Sequence, residues 1–213
     1  PVTPFGFQAL FERLRARAAV PVDRAVELGC GVGRGLAALK QGAKLVVGVD
    51  RSPGALKLAR RILRGETTRV LRRNLGRTYT HATIEAGDLR APSAQLVCAD
   101  ALEPPFAPGA FDRVAALNLL DVVREPRKLL HELHLMAAPR AELLLASPYA
   151  WRTGVVDEGQ RLGEADPVAA LHKEAHDLGW AVEQEDLRVP WILRRDARAA
   201  SLYEVHWLRA RRP

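Results

Sequence analysis

The run Val26-Glu27-Leu28-Gly29-Cys30-Gly31-Val32-Gly33-Arg34 leaves a short apolar segment and enters a helical one. Glycines at such a turn let the backbone fold back tightly and approach a ligand closely. The amides that open the following helix attract negative groups. Many strand-to-helix turns carry glycine for packing alone, so the spacing has to decide. A dinucleotide fingerprint needs Gly, any residue, Gly, two residues, then Gly or Ala. Counted from Gly29 the last position is Arg34, and counted from Gly31 it is Leu36. Both registers fail, which disfavours a nicotinamide dehydrogenase. Two more acids, Asp50 and Asp100, close the apolar runs Lys44–Val49 and Leu96–Ala99. Either alone reads as a helix cap or turn acid; three acids at successive strand ends, the first followed by glycines, do not.

The pattern Glu-x-Gly-x-Gly-x-Gly resembles the first motif of class I S-adenosylmethionine methyltransferases, over about residues 23 to 146. That resemblance implies S-adenosyl-L-methionine as cofactor, which carries no pyrophosphate and so dispenses with the phosphate-specific glycine. It implies a cofactor set of Glu27, Gly29, Cys30, Gly31 and Gly33 in the turn, with Asp50 and Arg51 after the second strand. Asp100 and Ala101 follow the third strand and Asn118 the fourth. Asp50 would accept hydrogen bonds from both ribose hydroxyls, and Asp100 with Ala101 would face the adenine. Cys30 is expected as a small packing residue rather than a nucleophile.

Ligands on doubly wound sheets collect beyond the carboxyl ends of the strands. A methyl acceptor is therefore expected near Asn118 and Asp121, the candidate catalytic pair, roofed by the loop carrying Tyr149 and Trp151. The plainer alternative makes Asp121 a helix cap and the two aromatics core residues. Asn-Leu-Leu-Asp, the following Glu-Pro-Arg-Lys-Leu-Leu and Ser-Pro-Tyr-Ala-Trp resemble the methyltransferase domains of ovothiol biosynthesis. So does the tail from Val-Pro-Trp-Ile-Leu-Arg-Arg to Tyr-Glu-Val-His-Trp-Leu-Arg. The resemblance implies methylation of a ring nitrogen of a histidine derivative such as 5-thiohistidine (4-mercaptohistidine). Asp121 would fix the tautomer by accepting the ring N–H, Asn118 would hold ring or cofactor, and Arg194 could pair with a substrate carboxylate. The loop after Trp151 lacks the second tryptophan of that family, and its Phe-His-Tyr-Gly element is not found near Pro1 to Phe11. Asn-Leu-Leu-Asp also resembles an element of protein-histidine methyltransferases, so the acceptor stays open. The alternatives are an RNA or protein (histidine) methyltransferase, or a non-catalytic protein that binds cofactor and a partner.

The elements that must position these residues are read from periodicity. Pro4–Ala19 is an amphipathic helix with Phe7, Leu10, Phe11, Leu14 and Ala18 on one face. Strands are expected at Arg24–Leu28, Lys44–Val49, Leu96–Ala99, Phe111–Leu117 and Ala141–Ala146. Helices are expected at Arg34–Lys40, from Ser52 and Pro53 through Leu63, at Pro126–Met136 and at Pro167–Leu178. Thr67–Leu71 and Thr78–Ile84 read as a hairpin-like insertion turning at Asn74–Gly76. Trp180–Leu193 is extended and Ser201–Leu208 is a last strand. The fold class expected is α/β: a Rossmann-like class I methyltransferase, mostly parallel and doubly wound, with an antiparallel C-terminal edge hairpin. One methyltransferase domain spans 1–213, as an N-terminal helix (1–20), a cofactor-binding core (23–146), and a substrate loop with closing strands (147–213).

With 213 residues, 48% of them hydrophobic, the chain can bury one good core. No apolar run approaches a membrane span, and Pro1–Arg15 holds no uninterrupted apolar stretch of a secretory signal. Two cysteines, Cys30 and Cys98, are too few for a disulfide framework. A cytoplasmic setting is the expectation. The net charge of +7 invites a nucleic-acid surface. Yet the arginines are spread, with local clusters at Arg60–Arg61, Arg72–Arg73, Arg194–Arg195 and Arg209–Arg212, and a small anionic substrate explains part of the charge equally well. Nucleic acid is thus an unfavoured partner and a small molecule the favoured one. His131 with His134, and His172 with His176, have helical spacing compatible with metal binding. Neither pair carries the carboxylate motif of a zinc protease, so no metal is expected.

Overall fold

The structure is a computed structural model that describes residues 7–18 and 20–213; the expected helix residues Pro4–Gly6 and Ala19 lie outside them. Helix α1 (Phe7–Ala18) buries Leu10 and Leu14. Strand β1 (Val22–Leu28) feeds the glycine turn and helix α2 (Arg34–Leu39), and β2 (Ala43–Asp50) leads to α3 (Pro53–Leu63). Ser52 caps α3, its Oγ accepting the Ala55 amide at 3.2 Å, and Pro53 opens the helix. Strands β3 (Thr68–Arg73) and β4 (Tyr79–Ile84) pair antiparallel as a separate two-stranded sheet, as the alternation predicts. Then come β5 (Gln95–Cys98), β6 (Phe111–Leu117), α4 (Pro126–Met136), β7 (Ala137–Ser147), α5 (Pro167–Asp177), β8 (Ala181–Arg194) and β9 (Ala200–Arg211).

The main sheet runs β5-β2-β1-β6-β7-β9-β8. The first five strands are parallel; β9 inserts antiparallel between β7 and β8. Alternating side chains on each strand serve two apolar layers. Val26, Leu28, Val114, Ala116, Leu143 and Leu145 pack with Leu129, Leu133, Leu171 and Trp180 on the α4–α5 side. Ala25, Val46, Ala115, Leu144, Val205 and Trp207 pack with Leu10, Leu36, Leu39, Leu56 and Leu63 on the α1–α2–α3 side. The result is the mixed α/β, Rossmann-like three-layer fold with the expected antiparallel edge. No helix among the described residues is long and apolar enough to cross a membrane.

Three features depart from or extend the periodic reading. β7 begins at Ala137 rather than Ala141. Its register against β6 jumps between Phe111↔Ala137 and Arg113↔Glu142, with Arg140 at φ 64, so a bulge hides the strand's start. Arg113 and Glu142 then meet inside the sheet, Nε to Oε2 2.6 Å, both almost sealed from water. β9 continues past Leu208 to Arg211, because Arg209 and Arg211 both pair with Glu183 on β8. Finally, the two hairpins touch: the Ala197 amide, in the β8–β9 turn, donates to the Arg73 carbonyl at the end of β3 (3.0 Å).

Candidate functional site

The strand order reverses direction between β1 and its neighbours β2 and β6, and open α/β sheets hold ligands beyond that point. Gly29 follows β1 with φ 71, and Gly33 starts α2 with φ 86, backbone that side chains other than glycine rarely adopt. The turn is bound to β2 twice. The Cys30 amide donates to the Val49 carbonyl (3.0 Å), and the Gly31 amide donates to Asp50 Oδ2 (2.9 Å). Asp50 Oδ1 accepts from Ser52 N at 2.8 Å. Each carboxylate oxygen therefore keeps acceptor capacity for a ligand. Asp50, Arg51, Asp100 and Ala101 line one cavity of 160 Å³ with Gly29, Leu102, Leu119 and Arg152. Asp100 Oδ1 accepts the Leu102 amide at 2.9 Å, which fixes the loop after β5. A slot with two acids, flanking arginines and the apolar Ala101, Leu102 and Leu119 offers acceptors to a diol and an apolar surface to a flat base.

Glu27, on β1, feels the charge of Asp50 but lines a different cavity. It is 4% exposed, and burial, with Asp50's charge second, pushes its carboxyl up to about 8. Gly35 makes room for it, since a Cβ there would stand 2.3 Å from Glu27 Oε1. Glu27, Gly29, Cys30, Arg34 and Asn118 line a second cavity of 390 Å³, closed by Phe11, Leu117, Ile84 and Trp191. Burial also pushes the Cys30 thiol up, which suits packing rather than nucleophilic chemistry. Glu27 Oε2 and Asn118 Oδ1 are buried without a hydrogen-bond partner. Buried acceptors left this way call for a donor, and an ammonium group supplies one.

A third cavity, of 430 Å³, opens beyond β6 and β7 and is lined by Asn118, Asp121, Pro148, Ala150 and Arg152, and by Trp191, Leu193, Arg195 and Tyr203 from the closing hairpin. Asn118 takes a left-handed φ of 54 and its amide donates to the Ala146 carbonyl at 2.7 Å, so its side chain stands at the wall shared by the second and third cavities. Asp121 is 4% exposed, and burial raises its carboxyl above the ordinary carboxylate range. Ser147 Oγ donates to it at 3.3 Å.

The structure thus brings together Asn118 and Asp121, and separately Asp50, Arg51, Asp100 and Ala101. The expected roof is elsewhere. Tyr149 and Trp151 pack against the α4–α5 core, Tyr149 Oη lies 2.7 Å from His206 Nδ1, and neither is among the described residues lining the third cavity. Pro148, Ala150 and Arg152 line the cavity instead, in an irregular segment where Tyr149 takes a left-handed φ of 51. Arg194 bonds the Ala197 carbonyl in its own turn (3.5 Å), while Arg195 lines the cavity. Trp191 and Tyr203 fall within the tail stretches that carry the family resemblance, but the sequence assigns them no site role. They are cross-strand partners on β8 and β9, ring centroids 5.4 Å apart, and only the pairing register reveals them.

Residues 26–145 match the family model described as "Methyltransferase domain". No curated protein sequence matches the chain. Among solved structures it is similar to protein YcgJ of Bacillus subtilis, at 10% identity and TM-score 0.66, over 96% of this chain and 98% of that one. It is similar also to the N-methyltransferase NodS of Bradyrhizobium japonicum, solved with S-adenosyl-L-homocysteine, at 17% identity and TM-score 0.60, over 95% and 84%. A third is the magnesium protoporphyrin IX methyltransferase of Synechocystis with bound S-adenosylmethionine, at 18% identity and TM-score 0.59, over 97% and 77%. At such identities the likeness is one of fold. With more than half of its length matched by the family model on a sheet of this order, the chain belongs to the methyltransferase domain family and is an S-adenosylmethionine-dependent enzyme.

Proposed function

We propose that the enzyme methylates a ring nitrogen of a small imidazole or thioimidazole compound, a histidine derivative such as 5-thiohistidine, in the third cavity. The observation that carries this reading is that buried Asp121 and Asn118 line one cavity, and that Asn118 also lines the neighbouring cavity bordered by Gly29 and Cys30. In this reading the whole chain acts as one domain in a reducing, cytoplasmic setting.

The residues present fit the cofactor. Asp50 takes the ribose hydroxyls, with Arg51 beside it, and Asp100 with Ala101 flanks the adenine. The backbone of Gly29, Gly31 and Gly33 lets the ligand approach, while the unpartnered Glu27 Oε2 and Asn118 Oδ1 accept from its ammonium. S-adenosylmethionine, when bound, supplies an electrophilic methyl group.

Asp121 accepts the N–H of a neutral imidazole, which fixes the tautomer and leaves the opposite ring nitrogen with its lone pair free. As the ring gains a methyl and becomes cationic, the same carboxylate stabilises the charge in a dry site and then takes up the proton. Trp191 and Tyr203 exclude water and hold the ring plane, so rate comes from positioning rather than from a strong base. Arg195 and Arg152, in place of Arg194, are the cavity-lining cations able to pair with a substrate carboxylate.

Mass spectrometry of candidate histidine derivatives incubated with enzyme and isotope-labelled methyl donor tests the reading. A labelled product from a thioimidazole or imidazole acid supports it, and inertness of the whole panel, with cofactor bound, sinks it. A second reading rests on the exposed Arg72, Arg73, Arg77 and Arg198 near the touching hairpin tips: an RNA acceptor. That reading predicts RNA binding that weakens steeply as salt rises.

A further inference from the structure

Outside the cavities, one polar cluster joins three elements on the α5 side of the sheet. His172 Nε2, on α5, lies 2.8 Å from Glu185 Oε2 on β8, and His206 Nε2, on β9, lies 3.2 Å from the same oxygen. The ligating atoms of all three lie within 4.8 Å of one another. We infer that His172, Glu185 and His206 form a binding site for a divalent transition metal of the zinc class.

The spacing fits. Bonds of about 2.0–2.1 Å in a tetrahedron put neighbouring ligand atoms roughly 3.3 Å apart, and the two nitrogen-to-oxygen separations, 2.8 and 3.2 Å, lie just inside that value, so a small outward shift of the side chains admits an ion. Two imidazole nitrogens and one carboxylate are a donor set that zinc accepts, with room for a fourth ligand. That fourth position is available on the outer side, where His172 and Glu185 are half-exposed or exposed, while His206 is buried. His206 also has the outer partner that metal-bound histidines use: its Nδ1 meets Tyr149 Oη at 2.7 Å, which orients the ring and leaves Nε2 toward Glu185. Without an ion, both imidazoles must direct an N–H at a single carboxylate oxygen. With one, both nitrogens donate lone pairs to the same point.

Helical spacing pairs His172 with His176, but His176 points to solvent and its ring meets Asp177 instead. The second imidazole comes from β9, so only the fold assembles the site. A bound ion would tie α5 to the closing hairpin. Through Tyr149 it would also hold the segment Ser147–Arg152, which contributes Pro148 and Ala150 to the third cavity. The inference does not depend on which acceptor that cavity takes.

The test titrates chelator-stripped full-length protein with Zn²⁺ by calorimetry and with Co²⁺ by its visible d–d absorption. One equivalent is expected to bind, with Zn²⁺ displacing Co²⁺ and raising the Tm. His172→Gln and Glu185→Gln, at accessible positions, should each weaken binding at least about tenfold, and Tyr149→Phe about tenfold. His176→Gln should bind like the unaltered protein. Absence of stoichiometric binding, or affinity unchanged in both His172→Gln and Glu185→Gln, would overturn the assignment. So would binding lost in His176→Gln.

Discussion

Asp50 holds the glycine turn in place: its Oδ2 accepts the Gly31 amide at 2.9 Å, so the residue proposed to grip the ribose also shapes the loop beside it. Asp50→Ala should weaken S-adenosylmethionine binding at least about tenfold, because hydrogen bonds to a charged group contribute roughly 1.5–3 kcal/mol each. Calorimetry checks this, and an unchanged Kd removes Asp50 from the ribose site.

Glu27 makes stability depend on pH in a direction set by its burial. Its carboxyl is raised from an ordinary 4.5 to about 8. The folded state therefore holds that proton more tightly than the unfolded chain. The contribution is complete below about pH 4.5 and is lost as pH rises through 8. Glu27→Gln should melt higher than the unaltered protein at pH 9, with the gap closing toward pH 5. Thermal melts of the two proteins across that range decide it; a gap independent of pH would rule out Glu27 as the titrating group. If the cofactor's ammonium sits beside Glu27, binding near pH 7 should also release protons, which calorimetry in buffers of different ionisation enthalpy detects.

Asp121→Asn should leave cofactor affinity intact and lower kcat about a hundredfold or more, the scale of removing one group that stabilises transition-state charge. The raised carboxyl of Asp121 places the acidic limb of the wild-type pH–rate profile above the usual carboxylate range. Activity should climb with pH through that limb, and the asparagine variant should lack it. Equal turnover in the two proteins would exclude Asp121 from the chemistry.

The Arg113–Glu142 pair sits at 1% and 3% side-chain exposure, so losing Arg113 leaves a buried carboxylate beside the more distant Arg209 Nη1, at 3.5 Å. Arg113→Met alone should destabilise the fold by about 3–5 kcal/mol, whereas Arg113→Met with Glu142→Leu should recover most of that. Urea unfolding of the single and double variants measures the difference. A double variant no better than the single would mean that the pair's geometry, rather than its charge, holds β6 to β7.

Much of the scaffold could be read before folding because burial and period agree. Phe111–Leu117 and Pro126–Met136 have the expected bounds, and the Thr68–Ile84 hairpin follows its alternation. The start of β7 could not, since Pro139 and Arg140 interrupt the pattern and only the bulge accommodates them. Nor could the end of β9, where arginines resemble a solvated tail until Glu183 appears opposite them. Strand-end acids show in sequence because they punctuate an apolar run, as Asp50 and Asp100 do. Trp191, Tyr203 and His206 do not, because their significance depends on a register between strands that no local pattern encodes. Tyr149 and Trp151 stand off the third cavity because the chain is irregular after β7, with Tyr149 at a left-handed φ of 51, a turn that residue types alone do not encode.

The main-chain bond from Ala197 to Arg73 joins two separate ribbons into a single arch, whose β8 side lines the third cavity through Leu193 and Arg195. Neither tip can lift alone without stripping a partner from a strand-end amide and a carbonyl. Lifting either tip therefore breaks that bond, so the crossing point ties the insertion between α3 and β5 to the last strands of the chain.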